Sequence, residues 1–181
     1  MAVLADNISA YSETVLVSPS YLAGEGTAHR TKGIGGLHRT TLVQFAAELA
    51  RPEMSQRGLA PLSALGVEAI AARVIHTERD SRPFAYFEGV AAMPGFARAL
   101  ARTLGDLRLA GVAPSSLKET GAPGADLARL LTRYASELEE RSLADLSRVF
   151  ELAAQATSHR WLGLPLLFLD TPLDSFAHRE F

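Results

Sequence analysis

The apolar positions of the chain change period along its length. Thr14-Val15-Leu16-Val17-Ser18 is a short continuous apolar run closed by Pro19, the form of a buried strand. A glycine-rich loop follows at residues 24–36. Thr41-Leu42-Val43-Gln44 is a capping-box start, and Leu42, Phe45, Ala46 and Leu49 then recur at helical spacing until Pro52 closes the helix. Leu62, Leu65, Ala69 and Ala72, with Val67, Ile70 and Val74 beside them, predict a largely buried helix. Pro83 opens another, with Phe84, Phe87 and Ala91 along one face. After the Pro94-Gly95 break, Phe96, Leu100, Leu104 and Leu107 form a stripe that stops near Gly111. Residues 114–120 read as a helical turn or two, and Gly121-Ala122-Pro123-Gly124 as a turn. Leu127, Leu130, Leu131, Tyr134 and Leu138 give the strongest amphipathic signal, and Arg133, Glu137 and Arg141 on the outer face are spaced for two i,i+4 pairs. Ser142-Leu143-Ala144-Asp145 resembles another cap, and Leu146, Val149, Phe150 and Ala153 make the last stripe. Pro165-Leu166-Leu167-Phe168-Leu169-Asp170 is then a second buried strand ending in an acid.

Two apolar strands separated by a helical block cannot form a hairpin, so they are expected to be parallel neighbours in a small sheet. The predicted fold is α/β and predominantly helical. A helical block at about residues 61–160 is inserted between strands near 14–18 and 165–170. Residues 1–181 are expected to form a single domain, with no internal repeat. Ala177-His178-Arg179-Glu180-Phe181 looks like the opening turn of a helix, so the chain is expected to be a piece of a longer protein.

Composition removes several classes of function. The 181 residues are 48% hydrophobic, as in a globular chain with a real core. Lys+Arg number 18 against 20 Asp+Glu, a net charge of -2 without the basic excess of a general nucleic-acid clamp. With no cysteine, disulfides, thiolate metal sites and cysteine nucleophiles are impossible. The first residues lack the basic and apolar regions of a signal peptide. The most apolar stretch, residues 161–169, is broken by Gly163 and Pro165 and is too short to span a bilayer. A soluble cytoplasmic protein without membrane contact is expected.

Few constellations carry chemistry. A P-loop requires G-x-x-x-x-G-K-[ST], but Lys32 is preceded by Thr31 and followed by Gly33, so the glycine-rich segment reads as a surface loop. Leu166-Leu167-Phe168-Leu169-Asp170 has the shape of a Walker B strand, whose acid holds Mg²⁺ in nucleotide hydrolases. His29, His38, His76, His159 and His178 lack metal-ligand spacing, so neither metal nor cofactor is expected. No G-x-S-x-G elbow exists, and the two lysines, Lys32 and Lys118, are not preceded by the Glu-x of a PD-(D/E)xK nuclease. Arg30 with Lys32, and Arg98 with Arg102, are the candidate nucleic-acid contacts. Asp106 lies one helical turn beyond Arg102, and the bland reading is a solvated, self-paired helix face.

The stretch Pro94-Gly95-Phe96-Ala97-Arg98-Ala99-Leu100 through Asp106-Leu107-Arg108-Leu109-Ala110-Gly111-Val112-Ala113-Pro114 resembles a helix in the N-terminal, helicase-like region of the AddB-like helicase–nuclease proteins (RecB-family exonucleases). Asp126-Leu127-Ala128-Arg129-Leu130-Leu131, Tyr134, Leu138 and Glu140-Arg141-Ser142-Leu143-Ala144-Asp145 are similar to the helix that follows there. Val15-Leu16-Val17-Ser18-Pro19 looks like the family's early strand, and residues 37–50 look like its next helix. Residues 166–170, with Asp170 as a degenerate Walker B acid, and Arg179-Glu180-Phe181 look like the strand and helix downstream. The resemblance covers most of the chain in order. It implies an incomplete superfamily-1 helicase-like domain in a protein that processes DNA double-strand ends for recombinational repair. The parent would be an ATP-dependent helicase/exodeoxyribonuclease subunit, several times longer, with its nuclease at the far C-terminus. This chain has neither a Walker A nor the nuclease motif, and is expected to be non-catalytic. Its partners would be the rest of its parent, the partner helicase–nuclease subunit and DNA. The alternatives are a small phosphate- or nucleotide-binding enzyme domain using the glycine loop and Asp170, and a stand-alone helical interaction protein.

Overall fold

The structure, a computed structural model, describes residues 13–20 and 36–181. Strand β1 (Thr14–Val17) lies between β2 (Leu37–Thr40) and β5 (Leu166–Phe168), and all three run parallel. The two strands expected from the apolar runs are therefore parallel neighbours, with Val15 opposite Leu166 and Val17 opposite Phe168. Strand β2 corrects the family resemblance, which placed residues 37–50 on a helix, while the helix start read at the Thr41 capping box is where the structure has it. Thr41 is extended (φ -93, ψ 161), and its hydroxyl and the Gln44 side chain form a reciprocal capping box. The box sets the helix start at Leu42, which leaves the residues before it extended and free to pair with β1.

Helix α1 (Leu42–Gln56) runs through Pro52 rather than stopping there. Proline inside a helix costs about 3 kcal/mol. The extra turn offsets this by burying Met54 on the same face as Leu42, Phe45, Ala46, Leu49 and Ala50. A short strand β3 (Ala60–Pro61) leads to α2 (Ala64–Ser81), capped by Ser63. The buried face of α2 is Ile70, Ala71, Val74 and Ile75; Leu65, Ala69 and Ala72, expected inside, are exposed. Apolar residues lie on both sides of this helix, so its period cannot choose between them. Packing against the later helices does.

Residues 83–91 do not form the predicted helix. Only a single 3-10 turn, Phe87–Gly89, is present, although Phe84 and Ala91 are buried as expected. Helix α3 (Phe96–Leu109) matches its stripe, and Gly111 (φ 66) takes the chain out of it. The short helix α4 (Pro114–Lys118) precedes α5 (Ala122–Glu140). Residues 122–124, read as a turn, are the first turn of α5, which accommodates Pro123. A side chain at Gly124 would lie 2.0 Å from the Leu117 carbonyl oxygen, so glycine permits this close helix approach. Strand β4 (Leu143–Ala144) pairs in parallel with β3, and α6 (Leu146–Ala154) starts at the Asp145 cap. The five-residue α7 (Phe176–Glu180) is capped by Ser175.

The chain is thus α/β and mostly helical, with small parallel sheets. Its buried side chains form two clusters. One packs β1, α1, α6 and Trp161; the other packs α2, α3 and α5 with Phe84 and Ala91. The β3–β4 ladder lies between them, because Ala144 belongs to the first cluster and Leu143 packs on the second. Strand β5 is less buried than predicted, with Leu166 46% and Phe168 43% exposed. It pairs on one side only, with β1, among the described residues, and an edge strand gains less cover than a central one. Among the described residues, no helix is long and apolar enough to cross a membrane.

Candidate functional site

The polar groups of the helical cluster converge on helix α5. Asp126, in its first turns, is only 2% exposed. Its carboxylate accepts the backbone N–H groups of Ala85 at 3.1 Å, Tyr86 at 2.7 Å and Phe87 at 3.2 Å. Three successive N–H groups aimed at one anion require a turn, which is why residues 83–91 are not helical. The Glu88 carboxylate completes the turn by accepting Phe84 N–H at 3.1 Å. Hydrogen bonds from Arg79 and Phe84 hold Glu88 below the usual glutamate pKa.

Further along α5, the face read as the outer one surrounds a buried carboxylate. Glu137 is 0% exposed and accepts from Arg133 Nη2 at 2.5 Å, Arg141 Nε at 2.9 Å and Arg73 Nε of α2 at 3.0 Å. Both predicted i,i+4 pairs therefore form, and a third arginine joins from another helix. Burial alone would raise the pKa of Glu137. The hydrogen bonds from Arg141 and Arg133 and the charge of Arg73 outweigh that penalty and lower it. Arg133 also reaches Glu140 at 3.4 Å. One turn earlier, Arg129 donates to the Glu78 carboxylate and to the carbonyls of Glu78 and Arg82, and its guanidinium lies 5.4 Å from the Phe84 ring centre.

The two side-chain clusters meet at an ion pair. Arg108, at the end of α3, donates through Nε and Nη2 to both oxygens of Asp145, which also caps α6 by accepting Arg148 N–H. The Tyr134 hydroxyl is buried without a hydrogen-bond partner among the described residues, and burial raises its pKa.

No protein-family model and no curated protein matches the chain. The site is therefore read from its own residues.

Arg98 and Arg102 both stand exposed on α3. Arg98 pairs with Glu68 of α2 at 3.2 Å, not within its own helix. The expected pair between Arg102 and Asp106 is not made, and Arg102 has no ion-pair partner among the described residues. Arg30 and Lys32 lie outside the described residues, as does most of the glycine-rich loop. Asp170 is exposed with a positive φ of 45, just past the end of β5. Its neighbours lock onto β1: Leu169 N–H donates to the Val17 carbonyl at 2.8 Å, and the Thr171 hydroxyl to the same oxygen at 3.2 Å. Among the described residues, the arginine candidates and Asp170 are not brought together. Arg98 and Arg102 lie on the helical block, and Asp170 lies at the C-terminal edge of the sheet.

Among the described residues no group of three His, Asp or Glu side chains is placed to hold a metal ion. His38 pairs with Glu13 at 3.1 Å, and His76 with Asp80 at 3.4 Å. His178 packs edge-on against Phe150, where burial lowers its pKa against the opposing effect of Asp174.

The sequence reading missed Asp126 and the third arginine on Glu137. For Asp126 the sequence holds no signal, because an acid in the first turns of a helix is ordinary on dipole grounds. For Glu137 the i,i+4 spacing is a partial signal, but only the packing of α2 against α5 buries its carboxylate.

Proposed function

We propose that the chain is a non-catalytic, scaffold-forming part of a helicase–nuclease protein of the AddB-like type, acting in DNA double-strand-end processing, with its helical block contacting DNA or a partner subunit. The observation that carries the DNA contact is the guanidinium of Arg102, exposed one turn from Arg98 and without an ion-pair partner among the described residues although Asp106 is within helical reach. A free, exposed arginine is available to a backbone phosphate, whereas a self-paired one must first give up its partner. The order β2-β1-β5, with Asp170 after β5, supports the helicase-like reading, since it sets the acid-ended strand beside the first strand in a parallel sheet.

A fluorescence-anisotropy titration of a blunt-ended duplex at low salt tests the contact. Arg98→Ala with Arg102→Ala is expected to weaken binding several-fold and to reduce the slope of log affinity against log salt by about 2. An unchanged curve leaves these arginines as solvated surface.

A second reading, a nucleotide-binding domain, is favoured by the position of Asp170 beside the exit of β1. Calorimetry with ATP and Mg²⁺ is then expected to show heat that is lost in Asp170→Ala. Absence of heat at millimolar ATP removes this reading.

A further inference from the structure

The five residues of α7 are too few to hold a helix by themselves, so its shape depends on what it packs against. Phe181, just past its end, sets its ring 5.5 Å from those of Phe45 in α1 and Phe150 in α6. His178, one turn earlier, meets the Phe150 ring edge-on at 4.8 Å. Phe45 and Phe150 are both buried core residues, and α7 is part of their cover. The Nδ1 of His178 is itself buried and has no hydrogen-bond partner among the described residues. A neutral imidazole can leave a bare lone pair there, whereas an imidazolium puts a charged N–H donor in the same place with nothing to accept it. The charged groups of the elements around α7 are Asp106 and Arg108 in the last turn of α3, Arg148 and Glu151 of α6, and Glu48 and Arg51 of α1; Asp174, Arg179 and Glu180 lie beside the histidine in the chain. Arg108 is held by Asp145, Arg148 by Glu151 and Arg51 by Glu48. Asp174 is the charge that favours the protonated ring, and burial of the imidazole outweighs it, which lowers the pKa from the usual 6.5.

We propose that α7 is an acid-released latch, docked while His178 is neutral and freed when the ring is protonated in its seat against Phe150. Phe181 favours docking at any pH, and His178 opposes it once charged. Docking is at full strength above pH 6.5 and weakens as pH falls through the lower value of the docked ring. Glu137, on another helix, responds only below pH 4.5, so the two effects occupy separate windows. Release uncovers the Phe45 and Phe150 rings. It also removes one wall of a cleft of about 370 Å³, which Phe176, Ala177 and Glu180 line opposite Phe150 and Gly111. The molecule then presents at acid pH an apolar surface that it covers at neutral pH. The latch does not depend on the function proposed above.

An NMR titration of the full chain from about pH 8 to about pH 5, which stops above the usual carboxylate range, tests the latch. The imidazole signals of His178 and the backbone amides of residues 176–181 are followed together. His178 is expected to titrate below pH 6.5, with those amides moving in step towards unfolded-chain positions. The amides of α1 and α6 are expected to keep their helical positions, which separates release from global unfolding. His178→Phe keeps an aromatic ring in the seat without a titrating group, and is expected to hold residues 176–181 docked at about pH 5. Asp174→Asn leaves the seat intact and removes the charge that favours protonation. It is expected to shift the His178 titration and the amide transition together to lower pH. A His178 titration at or above pH 6.5 overturns the proposal. So do amides that fail to follow the ring in either the wild type or Asp174→Asn, and an acid transition that persists in His178→Phe.

Discussion

Asp126 organises more backbone than any other side chain of the helical block. Hydrogen bonds to a charged acceptor each contribute about 1.5–3 kcal/mol, and an orphaned buried N–H has a cost of its own. Asp126→Ala should therefore destabilise the chain by about 3–5 kcal/mol in urea unfolding at neutral pH. Asp126→Asn, which keeps one oxygen, should cost clearly less. Equal losses for the two variants would show that its charge and oxygen count do not matter. Tyr134 presents the opposite case. Its hydroxyl is buried without a partner among the described residues, so Tyr134→Phe should leave stability unchanged or raise it by up to about 1 kcal/mol. A marked fall in the urea midpoint would mean that the hydroxyl is satisfied. Glu137 links charge to pH. Its folded pKa is lowered below the usual 4.5, so its stabilising effect is present above that value and is lost as pH falls through the lower, folded value. Glu137→Gln should lower the urea midpoint at pH 7 and flatten the acid limb of the stability profile. A parallel profile in the variant would reject this linkage. The burial of neither acid is legible in the sequence, where Glu137 shows only its i,i+4 partners, because burial comes from the neighbouring elements.

At the scale of elements, caps and close approaches hold the helices in place. Thr41, Ser63, Asp145 and Ser175 each accept an N–H of the helix they open. The Thr41 capping box is legible from local sequence because a cap needs only its own next three residues; the cap read over residues 142–145 is made by Asp145, with Ser142 at a φ of 53 outside the helix. Asp145 does more than cap, since it also holds Arg108 of α3. Asp145→Asn preserves an accepting oxygen for the cap but not the ion pair, whereas Asp145→Ala loses both. Their difference in stability should be about 1 kcal/mol, the worth of the cap, read from thermal midpoints. At Gly111 two requirements coincide: a φ of 66, and a position for an added side chain 3.1 Å from the Phe176 ring. Gly111→Ala should therefore loosen α7, seen as faster amide exchange at residues 178–181, with α3 itself little affected. Unchanged exchange would place the docking of α7 elsewhere. The predicted helix at residues 83–91 fails for a reason of the same kind, since its N–H groups find the Asp126 carboxylate some forty residues away.

Across the whole molecule, the sheet-side and helical clusters meet at the β3–β4 ladder and the Arg108–Asp145 pair. Trp161, stacked on Phe45 at 5.9 Å, reports on the first cluster, while most of the helix content reports on the second. In Asp145→Ala, urea transitions followed by tryptophan fluorescence and by far-UV circular dichroism should separate. Coincident transitions would show that the ladder and the apolar contacts suffice to couple the clusters. What the sequence by itself determined was local and periodic: the two apolar strands, the stripes of α3, α5 and α6, the capping box of α1, and hence an α/β, mostly helical chain. Those features depend on residues a few positions apart, so the chain carries them without help. The tertiary structure decided the rest. It selected the buried side of α2, made residues 37–40 a strand, left β5 paired on one side only among the described residues, and buried Asp126 and Glu137. It also seated α7 against Phe45 and Phe150. Each of these depends on which elements meet, and burial and charge contact are properties of the meeting surfaces rather than of any one segment.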